Sequence, residues 1–226
     1  MSPRSKFDLS LLPEQPNISF ESGLWEQGYQ TVAGLDEAGR GALAGPVSAG
    51  AVVFSAGEPD LCGRLEGVRD SKVMTATRRD RWAIEIKAAA LSWGVGFASP
   101  HEIDQIGIVS ATYLAMARAL AQLSCEVDHL LVDFLTLPDI RVPQMPLVKG
   151  DARSLSIASA AILAKTARDA LLIEMDEVYP GYGFASNKGY ATQTHRSAIK
   201  KLGPCAEHRR SFSPVSDYYS LFPSVY

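Results

Sequence analysis

The sequence has few cysteines and histidines, and those it has are not spaced as metal ligands. Three cysteines, Cys62, Cys125 and Cys205, are spread over 226 residues without a Cys-x-x-Cys pair. No histidine stands near them at zinc-site spacing, and three scattered thiols do not form the dense framework of a disulfide-stapled domain. The sequence therefore predicts neither a zinc site nor a disulfide-stapled domain. A reducing cytoplasm is the expected compartment.

Long apolar runs and an excess of basic charge are also missing. No stretch approaches the roughly 18 consecutive apolar residues of a membrane helix, and the first twenty residues lack the basic-then-apolar pattern of a secretion signal. We therefore expect no membrane partner. With 22 Lys and Arg against 25 Asp and Glu, the net charge is −3. This balance argues mildly against a nucleic-acid partner, unless several of the acids bind cations.

What the sequence does contain is an alternation of strand-like and helix-like segments. Short apolar runs between Gly, Pro and polar clusters predict strands, and apolar residues at helical spacing predict helices. The predicted strands are Thr31–Leu35, Pro46–Phe54, Trp93–Phe97, His129–Phe134 and Met145–Val148, and the predicted helices are Arg78–Leu91, Ile106–Leu123, Ser156–Val178 and Thr192–Leu202. This alternation is typical of an α/β fold, with a mixed sheet flanked by helices.

Composition divides the chain into three parts. Residues 1–30 show scattered polar side chains and little periodicity, which predicts a loose N-terminal arm. Residues 31–183 carry all five strands and form the predicted core. From 184 to 226, glycine, aromatic and basic residues predict a separate C-terminal segment with a short helix. Its basic residues predict a phosphate-binding surface, with a merely solvated face as the alternative; they are Lys188, Arg196, Lys200, Lys201, Arg209 and Arg210.

Three aspartates end or follow strand-like segments. Asp36 closes the first apolar strand, Asp133 closes the fourth, and Asp151 follows the fifth just before a helix. Strand ends in α/β sheets converge on one edge, so we expect these acids and Glu37 to meet. Adjacent carboxylates repel by roughly 4 kcal/mol per pair at an effective dielectric of about 20, and a divalent cation offsets that cost. For Asp151 alone, a helix-cap role is an equally good interpretation.

The chemistry of these acids points to a hard metal ion. Oxygen-only ligands without nearby His or Cys select Mg²⁺ or Mn²⁺. A pair of such ions about 4 Å apart is the arrangement that clamps a phosphodiester for in-line attack by water. The acids therefore predict a metal-dependent phosphodiester hydrolase.

A glycine-rich segment follows the first two acids. Gly39-Arg-Gly-Ala-Leu-Ala44 matches the fingerprint of dinucleotide-binding folds. That fingerprint needs a helix to open at the glycines, whereas the residues from Pro46 onward predict a strand. Two carboxylates before the glycines would also repel a pyrophosphate. The segment is better interpreted as a tight turn, or as backbone that approaches a sugar closely because glycine has no Cβ.

Taken together, these blocks resemble the ribonuclease HII family. In chain order they are GLDEAGRGALAGP from Gly34, Asp70-Ser-Lys72, Ile103-Asp104, Ala111-Thr112, LLVD to Asp133, Lys149-Gly-Asp151, SIASAAILAKTARD, YPGYGFASNKGYAT and HRRSF to Phe212. The resemblance implies a ribonuclease H-like fold, in which residues 31–183 are the catalytic core and residues 184–226 are a helical C-terminal segment that binds substrate. It also implies an endonuclease that cuts the RNA strand of RNA·DNA hybrids, and cuts 5′ of ribonucleotides embedded in duplex DNA, leaving 3′-hydroxyl and 5′-phosphate ends.

The resemblance assigns the catalytic residues as well. It implies that Asp36, Glu37, Asp133 and Asp151 are metal ligands for two ions of Mg²⁺ or Mn²⁺. The related ribonuclease HIII usually has an extra N-terminal domain and a glutamate as fourth ligand, where this chain has Asp151. A DNA nuclease or junction resolvase of the same fold, and a catalytically inactive binding module, are the alternative functions. Retention of all four acids argues against the inactive module.

Five further residues are predicted to contact the substrate. The backbone of Gly39, Arg40 and Gly41 is expected to read the 2′-hydroxyl that distinguishes RNA from DNA. Tyr190 is expected to stack on the sugar after the ribonucleotide, and Lys72 to hold a backbone phosphate. The alternatives are a core role for Tyr190 and a solvated surface role for Lys72.

Three features depart from the family pattern or match it only loosely. Phe134 stands where family members often have glycine, and Asn187 where they often have histidine. The segment Tyr218–Phe222 loosely resembles the apolar peptides by which bacterial repair enzymes dock on the sliding clamp, although it lacks the usual glutamine. The alternative is that Leu221 and Phe222 pack back on the domain.

Overall fold

The computed structural model describes residues 7, 8, 10, 12–69, 71 and 74–221. Its elements, in chain order, are α1 Ser19–Glu26, β1 Val32–Ala38, β2 Val47–Val53, α2 Leu61–Arg64, α3 Ala76–Ala89, β3 Ser92–Ala98, α4 Pro100–Leu120, β4 His129–Asp133, β5 Gln144–Leu147, α5 Leu155–Val178, α6 Phe184–Asn187, α7 Gln193–Leu202 and α8 Val215–Leu221. A short 3₁₀ helix, Gly150–Ala152, precedes α5. All five predicted strands and all four predicted helices are present, so the α/β prediction is confirmed.

The five strands form one sheet in the order β3-β2-β1-β4-β5. β1 pairs with β4 in parallel, from Val32 opposite His129 to Leu35 opposite Val132. β4 pairs in parallel with β5, where Asp133 lies opposite Leu147. The first five residues of β1 and all of β2 are buried, which is why these strands are continuous apolar runs rather than alternating patterns.

The chain divides into two compact units, each with its own apolar cluster. The first unit comprises residues 1–36, 50–94 and 123–162, and the second comprises 37–49, 95–122 and 163–226. The cluster of the first unit contains Leu24, Val32, Leu131, Leu147 and Ile157. The cluster of the second contains Leu43, Ala44, Leu172, Met175, Tyr182, Phe184, Ala198, Ile199 and Val215. The sequence boundaries at 30/31 and 183/184 stay predictions.

The expectation of a loose N-terminal arm is wrong for α1. Leu24 is buried in the cluster of the first unit. Glu21 is buried too, and its Oε1 accepts hydrogen bonds from the hydroxyl of Ser154 at 2.6 Å and from the backbone N–H of Ser156 at 3.0 Å. A carboxylate at the start of α5 also complements the positive end of the helix dipole. An eight-residue helix is too short for its period to stand out, so the sequence pattern missed it.

The start of α4 was also predicted too late. The helix begins at Pro100, where Ser99 and Glu102 form a reciprocal capping box. Gly107 interrupts it with a φ of 78°, and this break in the period hid the first turns. None of the helices in the described part of the chain combines the length and the apolar character that crossing a membrane requires.

Candidate active site

Two of the predicted acids lie on neighbouring parallel strands. Asp36 follows Leu35 in β1, and Asp133 follows Val132 at the end of β4. Because Leu35 is paired with Val132, the register places Asp36 beside Asp133, on backbones about 4.8 Å apart. Asp36 is buried. The expected convergence of strand-end acids therefore holds for this pair.

The third acid, Asp151, lines a cavity with Asp133. Asp151 is buried in the 3₁₀ helix after β5. The cavity has a volume of about 250 Å³, and its lining residues are Asp133, Phe134, Val148, Lys149 and Asp151. The backbone N–H of Gly150 donates to Asp133 Oδ1 at 2.7 Å, which ties the turn that carries Asp151 to the end of β4.

The helix-cap interpretation of Asp151 does not hold for α5. That helix begins at Leu155, and its third N–H, from Ile157, donates to the hydroxyl of Ser154 at 3.2 Å. Ser154 therefore has the N-cap position. Asp151 therefore lines the cavity and does not cap the helix.

Glu37 is the residue after Asp36 and belongs to the second unit. Its side chain is largely buried, and its Oε1 forms an ion pair with Arg40 Nη1 at 3.3 Å. In the described residues, no three or more His, Cys, Asp or Glu side chains lie close enough together to hold a metal ion, and this includes the four predicted acids. The donor set still fits a hard cation, because it consists of carboxylate oxygens and two of its members are buried.

Arg209 stabilises the turn that contains Gly39, Arg40 and Gly41 through hydrogen bonds to its backbone. This arginine is fully buried. Its Nη2 donates to the carbonyl of Gly39 and its Nη1 to that of Arg40, both at 2.8 Å, while Nε donates to Gly45 at 3.0 Å. The prediction that Arg209 belongs to a phosphate-binding surface is therefore wrong, because its donors are directed at these carbonyls.

A second buried arginine, Arg168 of α5, fixes the far side of the same loop. Its three donor nitrogens bind the carbonyls of Pro46, Ala44 and Lys188 at 2.8, 3.0 and 2.9 Å. Burial lowers the pKa of Arg168, and burial together with the neighbouring Arg168 lowers the pKa of Arg209 to about 9. The sequence carries no local sign of this role, because Arg168 stands between two other charged residues of the helix, Lys165 and Asp169.

The two glycines of the turn differ in what their backbones require. Gly39 has a φ of +90°, and a Cβ added to it would lie 2.0 Å from Arg168 Nε. Gly41 has no such φ, and an added Cβ would meet no atom of the described residues within 4 Å. The fold thus requires glycine at position 39, whereas Gly41 offers an open face to a ligand.

Tyr190 lies at the surface of the second unit, and the residue is 36% exposed. Lys165 Nζ and Arg168 Cζ each lie 5.5 Å from the ring centroid, so two cations support the ring. Asn187 is buried: its amide nitrogen donates to the Tyr182 carbonyl at 2.7 Å, and its Oδ1 accepts from the N–H of Gly189 at 2.8 Å. Asn187 therefore shapes the loop before Tyr190 through contacts inside the protein.

Phe134 has an unusual position beside Asp133. Its φ is +59°, in the left-handed region that favours glycine. Its side chain is 62% exposed at the edge of the cavity described above. The backbone geometry explains why glycine suits this position.

The remaining predicted contacts fall partly outside the described residues. Lys72 lies outside them, as does Phe222 of the proposed clamp peptide. Residues 215–221 form α8, and Tyr219 packs against the apolar cluster of the second unit. Of the predicted basic surface, the exposed members are Arg196, Lys200, Lys201 and Arg210.

Known proteins resemble this chain over most of its length. The family model for ribonuclease HII matches residues 33–215. A ribonuclease HII from Synechococcus sp. (strain JA-3-3Ab) is 52% identical over 204 residues, covering 90% of each chain. A ribonuclease HII from Moorella thermoacetica is 50% identical over 194 residues, covering 86% of this chain and 92% of that one.

Solved structures share the fold at lower identity. The ribonuclease H2 from Pyrococcus horikoshii OT3 has a TM-score of 0.70 at 23% identity, covering 86% of this chain and 99% of that one. The Archaeoglobus fulgidus ribonuclease HII, solved in complex with PCNA, has a TM-score of 0.66 at 24% identity, with 80% and 95% covered. Bst ribonuclease HIII, solved with Mn²⁺, has a TM-score of 0.64 at 19% identity, with 85% and 70% covered.

These structural likenesses show a ribonuclease H-like fold, in agreement with the mixed sheet and its flanking helices. The family model covers most of the chain, and its ribonuclease HII relatives share about half of their residues with it. The chain therefore belongs to the ribonuclease HII family, whose members are metal-dependent hydrolases that cleave the RNA strand of RNA·DNA hybrids.

Proposed function

We propose that this ribonuclease HII also cuts 5′ of single ribonucleotides embedded in duplex DNA, leaving a 3′-hydroxyl and a 5′-phosphate. We further propose that Asp36, Glu37, Asp133 and Asp151 are its catalytic residues and hold two ions of Mg²⁺ or Mn²⁺. The observation that carries the metal site is the strand register, because it sets Asp36 beside Asp133 on parallel strands. The Mn²⁺ bound to Bst ribonuclease HIII supports that ion as a candidate.

Bound divalent ions would supply Lewis-acid stabilisation of the phosphate and a more acidic water. The protein's part is to present oxygen ligands from rigid elements. Asp36 and Asp133 belong to paired strands, and Asp151 belongs to a turn that Gly150 fastens to Asp133. Arg40 neutralises part of the charge of Glu37 through their ion pair.

Recognition of the ribonucleotide is assigned to the turn that follows Glu37 in the chain. Backbone groups of Gly39, Arg40 and Gly41 would contact the 2′-hydroxyl, the group that RNA has and DNA lacks. The open space at Gly41 supports this assignment because a sugar needs room to approach the backbone. The buried arginines support it as well, since five hydrogen bonds from Arg168 and Arg209 to carbonyls of residues 39–46 fix the loop before any substrate binds.

Two side chains complete the proposed substrate contacts. The partly exposed ring of Tyr190 would stack on the deoxyribose after the ribonucleotide, where the absence of a 2′-hydroxyl lets the ring come close. Lys72 would hold a backbone phosphate. Together these contacts select an RNA–DNA junction, as an enzyme for removing ribonucleotides from DNA requires.

The carboxylate assignment is tested with Asp36→Asn on a DNA duplex that carries one ribonucleotide. We expect cleavage to fall by on the order of a thousandfold or more, while duplex binding changes only a few-fold because phosphate contacts supply most of the affinity. Glu85→Gln, which removes the same charge from an exposed position of α3, is the matched control and should cleave normally. Wild-type turnover by Asp36→Asn in excess Mg²⁺ would show that the four-carboxylate assignment is wrong.

We propose two further properties, a cellular compartment and a protein partner. The free cysteines of the described chain match a cytoplasmic protein kept in reducing surroundings.

A sliding clamp is the proposed protein partner through Tyr218–Phe222, and the complex of the Archaeoglobus fulgidus enzyme with PCNA supports it. Deleting the segment from Tyr218 onward should abolish capture by the clamp; a loss of thermal stability with capture unchanged would instead show that the segment packs on the domain.

A further inference from the structure

Two buried histidines of the second unit form a hydrogen-bonded pair. Both rings are buried, and His195 Nε2 lies 3.0 Å from His208 Nε2. Burial lowers the pKa of His195, and burial followed by the influence of His195 lowers the pKa of His208 to about 4. Each ring is therefore neutral near neutral pH and carries a single N–H.

The partners of the two rings determine which nitrogen carries that hydrogen. The backbone N–H of Cys205 donates to His208 Nδ1 at 3.0 Å, so the hydrogen of His208 lies on Nε2 and is donated to His195 Nε2. The hydrogen of His195 then lies on Nδ1, which is 2.9 Å from the carbonyl oxygen of Tyr190. The hydrogen bonds thus run in one direction, from Cys205 through both rings to Tyr190.

The thiol of Cys205 is compatible with this arrangement. Its Sγ lies 3.1 Å from His208 Nδ1, and burial raises its pKa to about 11. The sulfur therefore stays protonated at neutral pH, and an S–H group facing Nδ1 is a second donor to the same nitrogen. Both neighbours of His208 Nδ1 are donors, which supports the tautomer with hydrogen on Nε2.

His208 also links this chain of hydrogen bonds to the glycine turn. It directly precedes Arg209, whose guanidinium binds the carbonyls of Gly39 and Arg40. One dipeptide, His208-Arg209, is thereby connected to both elements that are proposed to read the ribonucleotide. Arg209 reaches the turn, and His208 reaches Tyr190 through His195.

We propose that His195 is a positioning residue that holds the backbone of Tyr190 where its ring can stack at an RNA–DNA junction, and that the hydrogen bond from His208 sets the tautomer that lets His195 do so. The inference rests on the stacking role proposed for Tyr190. The carbonyl of Tyr190 also accepts from the N–H of Thr192 at 2.8 Å, so the loop keeps one support when His195 is changed. Loss of the histidine bond should therefore shift the ring rather than unfold the segment.

Two amide substitutions at His195 separate its two hydrogen bonds. The amide nitrogen of His195→Asn falls close to the position of Nδ1, so it keeps a donor for the Tyr190 carbonyl. The amide of His195→Gln reaches the position of Nε2, so it keeps the contact with His208 and loses the one with Tyr190. We expect His195→Gln to lower kcat/KM on a single embedded ribonucleotide by roughly tenfold, with a much smaller effect on a long hybrid, and His195→Asn to stay near wild type on both.

Tyr190→Ala, assayed on the same two substrates, separates failure of this inference from failure of the proposed function. If Tyr190→Ala slows cleavage of both substrates equally, the stacking role is wrong, and the positioning role of His195 is wrong with it. In the other case, Tyr190→Ala slows cleavage of the single ribonucleotide more than cleavage of the long hybrid. If a folded His195→Gln protein then keeps the wild-type ratio of these two rates, only the positioning role of His195 is refuted. The double variant with Tyr190→Ala and His195→Gln should lose no more selectivity between the two substrates than Tyr190→Ala alone. An additive loss would overturn the positioning role of His195.

The tautomers give an independent test should His195→Gln prove too unstable to assay. Nitrogen NMR of the wild-type protein with labelled histidine distinguishes a ring protonated on Nδ1 from one protonated on Nε2. We expect His195 to carry its hydrogen on Nδ1 and His208 on Nε2. The opposite assignment for His195 would overturn the proposal, because its ring would then have no hydrogen to donate to Tyr190.

Discussion

A pair of alanine substitutions in the glycine turn separates the needs of the fold from those of the substrate. In Gly41→Ala the new methyl group meets no atom within 4 Å in the part of the chain that the structure describes, and the free energy of unfolding should stay within about 0.5 kcal/mol of wild type. In Gly39→Ala the residue is forced to a φ of +90° with its Cβ 2.0 Å from Arg168. That strain should lower the free energy of unfolding by roughly 2 to 4 kcal/mol.

The two variants should behave differently in cleavage. If the turn reads the 2′-hydroxyl, the methyl group of Gly41→Ala blocks its approach and removes at least one hydrogen bond from the complex. At roughly 1.5 to 3 kcal/mol, that loss corresponds to about a 10- to 100-fold drop in kcat/KM. The assay compares urea unfolding with steady-state cleavage of a duplex that contains one ribonucleotide. Wild-type cleavage by a normally folded Gly41→Ala protein would refute the assignment of the turn.

Three other predictions concern single residues. At Phe134, whose φ is +59°, replacement by glycine should give a more stable protein than replacement by alanine, by roughly 1 kcal/mol, because alanine is strained in this region; equal unfolding midpoints would contradict this. The His208 pKa of about 4 lies below the ordinary 6.5, so as the pH falls through this window the unfolded state takes up a proton that the folded state does not. The free energy of unfolding should fall by on the order of 3 kcal/mol between the two pKa values, and urea titrations should show a smaller fall for His208→Asn. Lys72→Ala should weaken duplex binding equally for all sequences and reduce the salt slope of the affinity by about one; an unchanged slope would assign Lys72 to the solvated surface.

The sequence predicted the strands better than the arrangement of the loops. Apolar runs such as β2 are a local signal, because a strand buried on both faces must be apolar throughout. The sequence also singles out Asp36 as a candidate site residue, because an aspartate at the end of a buried strand needs a partner that compensates its charge. The helix α1 could not, because Phe20, Leu24 and Trp25 give too few turns for a period to be visible.

The support of the substrate loops was beyond a local pattern altogether. Arg209 looks like one more basic residue in a basic segment, yet it binds carbonyls about 170 positions earlier in the chain. The link between His195 and His208 likewise depends on how α7 and the following loop fold together. Side chains that bind backbone carbonyls carry no sequence signature at the carbonyl end, because every residue has one.

The most direct test of the central claim is to map the cut on a DNA duplex that contains one ribonucleotide. The products would be resolved at single-nucleotide length and their ends identified, with Mg²⁺ and Mn²⁺ compared and an all-DNA duplex as control. The account predicts a metal-dependent cut on the 5′ side of the ribonucleotide, with 3′-hydroxyl and 5′-phosphate ends, and no cut in the control. A cut on the 3′ side, or comparable cleavage of the all-DNA duplex, would contradict it.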